Sequence, residues 1–156
     1  MDHTRRSIVF AGTAAAVIPF FSFSATAKQR GVVFANRRGA IRGYDPVAYF
    51  TDGKPVKGNN SFSTEWNGAK WSFASAENLA TFEAAPAKYA PAFGGYCAWA
   101  VSNGYVASTV PEAWDIVDGR LYLNFSLNVR TRWRVDIPGH VRNGNRNWPQ
   151  IRKDLA

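Results

Sequence analysis

The chain has 156 residues, 46% of them apolar and 15% aromatic, enough for one domain with a packed core and too few for two. Its 19% of charged residues and ordinary apolar content exclude disordered, collagen-like and coiled-coil compositions. The formal charge is +8, and a single cysteine rules out an intramolecular disulfide, a multi-cysteine structural zinc site and a thioredoxin-type pair.

Residues 1–27 read as an export signal cleaved after Ala27. A basic start with Arg5 and Arg6 is followed by an apolar stretch over 8–23 and a small-residue ending, Ala25-Thr26-Ala27. The context Thr4-Arg5-Arg6-Ser7-Ile8-Val9 fits a twin-arginine signal, with an ordinary secretory signal as the alternative. Gly12 and Pro19 interrupt the apolar stretch, which is shorter than the roughly 20 residues of a spanning helix. The expectation is a periplasmic or otherwise exported protein with no transmembrane segment in the mature chain. Cleavage takes away Asp2, Arg5 and Arg6 and leaves 17 basic against 10 acidic residues, or +7. It also removes His3 and Met1, so Cys97 and His140 are the only thiol and imidazole left as metal ligands.

Further along, 28–39 is polar and basic and is expected to form a flexible N-terminal arm. The domain proper spans 40–156 and ends in a C-terminal helical extension. Tyr44-Asp45-Pro46 opens a short apolar run, where the Asp45 carboxylate is placed to accept backbone hydrogen bonds. Asn67-Gly68 and Asp118-Gly119 each separate strand-like runs and predict two hairpins, because a type I′ turn needs positive φ at both central residues. Ser75 is placed to cap a helix carrying Leu79 and Phe82, which Pro86 ends or restarts. In the second hairpin, Leu121, Leu123 and Phe125 alternate with Arg120, Tyr122 and Asn124, predicting one buried face. Val129, Trp133 and Ile137 then recur every fourth residue until Pro138-Gly139, and the tail is read as a short helix to about Asn147 with Trp148-Pro149 folding back. The fold class that follows is α+β, a small single domain with two β-hairpins forming an antiparallel sheet packed by several short helices.

Several of these pieces together resemble the YHS domain family. They are Tyr44-Asp45-Pro46-Val47-Ala48-Tyr49-Phe50, Trp71-Ser72-Phe73-Ala74-Ser75, Phe82 with Pro86 and Tyr89, and Gly94-Gly95-Tyr96-Cys97-Ala98. The run from Trp114 to Asn124 and Trp148-Pro149 resemble the extension of exported bacterial members. The resemblance implies a metal site in members attached to heavy-metal pumps: one cysteine after Asp-Pro-Val and a cysteine pair, with three residues between them, after the second hairpin strand. Here those positions hold Ala48, Ala74 and Asn78. Alanine offers no lone pair, so the thiolates that would attract copper or zinc are missing.

Three functional readings follow. The first is an exported binding or accessory protein that handles a metal, copper or zinc, or a small ligand through a modified site. Its candidates are Cys97 and His140 for a metal and Tyr44, Asp45 and Cys97 for a ligand pocket. The second is a non-catalytic, metal-free interaction module of the cell envelope. The third, an enzyme using Cys97, Asp45 and tyrosines, is disfavoured because no Ser/His/Asp order, phosphate loop or helically spaced histidine pair occurs. Cys97 itself reads either as a thiol activated by the amides of Gly94-Gly95 or as a small buried hydrophobe. Positive charge is concentrated between Arg120 and Lys153; export argues against nucleic acid and points to a solvated face, an anionic surface or an envelope protein as partner.

Overall fold

The computed structural model describes residues 31–156. The expected export signal, with Arg5, Arg6, Ala25 and Ala27, lies outside the described residues.

Both hairpins form where their turns require. Strands β3 (Asn59–Trp66) and β4 (Ala69–Phe73) pair antiparallel through Asn67 (φ 49°) and Gly68 (φ 74°), with Trp66 opposite Ala69 and Thr64 opposite Trp71. Strands β5 (Trp114–Val117) and β6 (Arg120–Leu123) pair through Asp118 (φ 49°) and Gly119 (φ 74°). The two do not share a sheet. Each is a separate two-stranded ladder, and a third one, β1 (Ala35–Asn36) with β2 (Gly39–Ala40), precedes them. The described part of the N-terminal arm is therefore held in place: Val33 is buried, and the Phe34 amide donates to the Gly94 carbonyl at 2.8 Å.

Among the described residues, six α-helices accompany the ladders in this α+β domain: α1 (Ala48–Thr51), α2 (Ala76–Ala84), α3 (Pro86–Tyr89), α4 (Ala98–Ser102), α5 (Leu127–Arg134) and α6 (Ile137–Leu155). Side chains cap the longer ones. The Ser75 hydroxyl accepts from the Asn78 amide at 3.1 Å, Ser126 from Val129 at 3.2 Å, and the Asp136 carboxylate from Gly139 at 3.0 Å. The tail differs from the sequence expectation. Pro138 lies in the first turn of α6, where an N–H is not needed, and Gly139 leaves room for the Asp136 carboxylate, so the pair starts a helix as well as ending the previous run. The helix then continues past Trp148 to Leu155, with Pro149 on its exposed side.

Two apolar clusters meet across β6. Trp71, Phe73, Phe82, Leu121 and Leu123 belong to the first; Phe93, Tyr96, Val101, Tyr122 and Trp133 to the second. Both faces of β6 are therefore buried, and Asn124 with them. The single buried face read from its alternation is corrected by this sandwiching, and Phe125, expected inside, is 51% exposed. The second cluster is closed by α6, which brings Val141, Trp148, Ile151 and Leu155 against it. Gly144 allows this approach, since a Cβ there would sit 2.5 Å from Cζ of Phe93. The Asn147 amide donates to the carbonyls of Val101 and Ser102 at 3.0 and 3.2 Å, satisfying the end of α4.

Helix α5 is tied to the second hairpin by charge. Asp115 accepts from Arg130 Nε and Nη2 at 3.0 and 2.9 Å and also from the Arg134 guanidinium. Burial pushes the Asp115 carboxyl up, but the two guanidinium partners outweigh it and hold the group below its ordinary range. A depressed folded-state value means a contribution that is full above the unfolded value of about 3.9 and is lost as pH falls through the folded one. In acid titrations followed by urea denaturation, Asp115→Asn is expected to cost about 1–2 kcal/mol at neutral pH and to narrow its gap to the parent in strong acid. A gap that stays constant down to pH 2 would contradict the assignment.

Candidate functional site

The three positions that the family resemblance associates with thiols, Ala48, Ala74 and Asn78, lie around Asp45. This residue is 0% exposed, and its carboxylate accepts four hydrogen bonds. Oδ1 takes the amides of Val47 and Ala48 at 2.8 and 3.3 Å; Oδ2 takes the Ala74 amide at 2.8 Å and the Asn78 Nδ2 at 2.7 Å. The turn Asp45-Pro46 places the first two donors locally, while the end of β4 and the Ser75-capped start of α2 bring the other two. Ala48, Ala74 and Asn78 are thus gathered round one anion. Residues 47–93 match the sequence model of the YHS domain. No curated protein and no solved structure gives a match to the chain.

The matched YHS segment runs from α1 to the start of the Phe93–Gly95 turn and holds Ala48, Ala74 and Asn78. These residues do not fit a soft metal. Two methyl groups supply no lone pair, the Asn78 amide turns its N–H toward Asp45, and both carboxylate oxygens are already saturated by donors. Converging N–H groups suit an anion, not a cation. Among the described residues, no three His, Cys, Asp or Glu side chains come together in a way that would hold a metal ion.

Cys97 and His140 lie beyond the YHS segment, and the structure does not bring them together. Cys97 precedes α4 and is 1% exposed; its sulfur accepts from the Phe125 amide at 3.3 Å and lies 3.6 Å from Asn124 Oδ1. His140, on α6, exchanges a 2.8 Å hydrogen bond through Nδ1 with the Ser102 hydroxyl at the other end of α4. It ties two helices. Burial pushes the Cys97 thiol up, and the nearby backbone amides, those of Phe125, Trp99 and Ala100, offset this only in part. The neutral thiol is favoured, which answers the alternative left open by the sequence in favour of the packed hydrophobe. In native buffer at neutral pH Cys97 is expected to leave an aromatic disulfide reagent unreacted over an hour, and to react fully in denaturant. Release of one equivalent within minutes would mean an accessible thiol.

The ligand pocket expected from Tyr44, Asp45 and Cys97 is likewise not formed as one unit. The partners of Asp45 and those of Cys97 have no residue in common, because the first belongs to the α1, β4 and α2 junction and the second to the junction of α4 with the end of β6. Tyr44 instead lines a basic cleft together with residues that no sequence motif marks.

Proposed function

We propose that this chain is an exported YHS-domain binding or accessory protein of the cell envelope that works without the thiolate metal site of its metal-handling relatives. One observation carries the metal-free part: Ala48, Ala74 and Asn78 surround a buried carboxylate already saturated by four donors. Export is carried by the sequence of residues 1–27. The buried thiol of Cys97 weighs in the same direction, since it is not presented to an incoming ion.

The test is to recover the protein from the periplasm of cells expressing the full chain, sequence its N-terminus, and measure copper, zinc and iron beside a Cys97→Ser variant. A chain starting at Lys28 with far less than one equivalent of each metal is expected. Stoichiometric metal that disappears in the variant would overturn the metal-free reading, and an intact Met1 in the cytoplasmic fraction would overturn the export reading.

A further inference from the structure

A cleft of about 400 Å³ opens on the side of β4 turned away from the core. On this strand Ala69, Trp71 and Phe73 point inward, so Lys70 and Ser72 share the outer face by the alternation of a pleated strand. The β1–β2 turn brings Arg37 and Arg38 to the rim, and the turn before α1 brings Arg42 and Tyr44. Lys57, paired with Tyr44 in an isolated bridge, and Asn60 complete the wall. Five cationic side chains therefore line one cleft, and no carboxylate does among the described residues. The ion pairs found among those residues, both on Asp115, leave all five cations out.

Two details show that the site is built. Ser72 is buried, and its hydroxyl has no hydrogen-bond partner among the described residues, an arrangement that costs stability unless something outside the chain supplies the bond. Gly58 lies directly over it: a Cβ there would come within 2.7 Å of Ser72 Cβ, so only glycine leaves this floor in shape. The cations are also partly pre-positioned. Arg42 Nε donates to the Thr109 carbonyl at 2.7 Å, and Lys70 Nζ to Asn60 Oδ1 at 2.9 Å, which fixes both side chains while leaving other donors on each head group.

We propose that this cleft binds a small phosphate-bearing anion. Several positive charges call for a multiply charged ligand rather than one carboxylate, and guanidinium forks, ammonium groups and neutral donors from Ser72, Asn60 and Tyr44 match phosphate oxygens. The site is distinct from the Asp45 position and does not depend on whether the protein is metal-free. The phosphate can be that of a soluble compound or of a lipid headgroup, and the experiment separates these.

The full chain is titrated calorimetrically with inorganic phosphate and with pyrophosphate, against sodium chloride at matched ionic strength. One saturable site for the phosphates and none for chloride is expected. Ser72→Ala is expected to weaken binding about tenfold while melting at the same or a higher temperature, because it deletes a hydroxyl that lacks a partner in the free protein. Arg38→Gln and Lys57→Gln are each expected to weaken it by a similar factor, whereas Arg142→Gln and Arg146→Gln on α6 leave it unchanged. Co-sedimentation with phosphatidylglycerol vesicles that is competed by inorganic phosphate assigns the headgroup; no sedimentation, with saturable phosphate binding, assigns a soluble ligand. Absence of saturable phosphate binding, equal affinity in Ser72→Ala and the parent, or vesicle binding that phosphate does not compete would overturn the proposal.

Discussion

Asp45→Ala is expected to destabilise the protein by about 4 kcal/mol, among the largest effects of any single polar substitution. Among the described residues the carboxylate is the acceptor for the amides of Val47 and Ala48, both fully buried, and it also takes the Ala74 amide and the Asn78 side chain. Each buried donor left without a partner costs about 1–3 kcal/mol, whereas Ala74 is exposed and its amide can turn to water. Asp45→Asn keeps the volume but sets an amide N–H against other donors, so a loss of about 2–3 kcal/mol is expected. Urea denaturation of the full chain should show a lower midpoint with an unchanged slope. A loss under about 1 kcal/mol in the alanine variant would mean that the four donors find other partners and that Asp45 is not what closes the position around Ala48, Ala74 and Asn78.

Trp133→Ala is expected to cost about 3–5 kcal/mol, because it empties the centre of the second cluster. Trp133 is fully buried and packs against Tyr122, with ring centroids 5.3 Å apart. Its indole N–H has no partner among the described residues. Trp133→Phe therefore removes an unsatisfied donor along with part of the volume, and its expected cost is below about 2 kcal/mol. The comparison is informative in one measurement of thermal or urea stability: equal losses in the two variants would show that the indole makes a hydrogen bond after all.

The local features of the fold were legible because they rest on short-range chemistry. Asn67-Gly68 and Asp118-Gly119 supply the positive φ values their turns need, and Ser75 caps α2 through its own third neighbour. What stayed hidden depends on contacts distant in sequence. The β1–β2 hairpin has strands of two residues, too short for any periodicity, and the burial of Tyr122 and Asn124 depends on a second cluster lying behind β6. Pro138-Gly139 reads as a stop in sequence, yet it also opens α6 once Asp136 caps the turn. The same division holds for the site. Asp45 was readable as a turn acceptor, but not its reach to Ala74 and Asn78, 29 and 33 positions away. Charge was most evident between Arg120 and Lys153, whereas the five cations of the cleft are dispersed from Arg37 to Lys70 and converge only through the pairing of three short segments.

Three separate ladders of two strands also bear on how the chain reaches its native state. Each hairpin closes over a short loop, an event of about 1–10 μs, yet an isolated two-stranded hairpin is marginal in water. β2 lies against β4 without pairing to it, and none of the three ladders gains a third hydrogen-bonded strand, so each is expected to depend on the apolar clusters round β6 and on the docking of α6 on α4. Docking of the last helix is therefore expected to protect the hairpins beyond what strand pairing alone gives them. A chain lacking α6 would keep forming and losing its hairpins, and backbone amide exchange in β3 and β4 would report the removal of a helix more than sixty residues away.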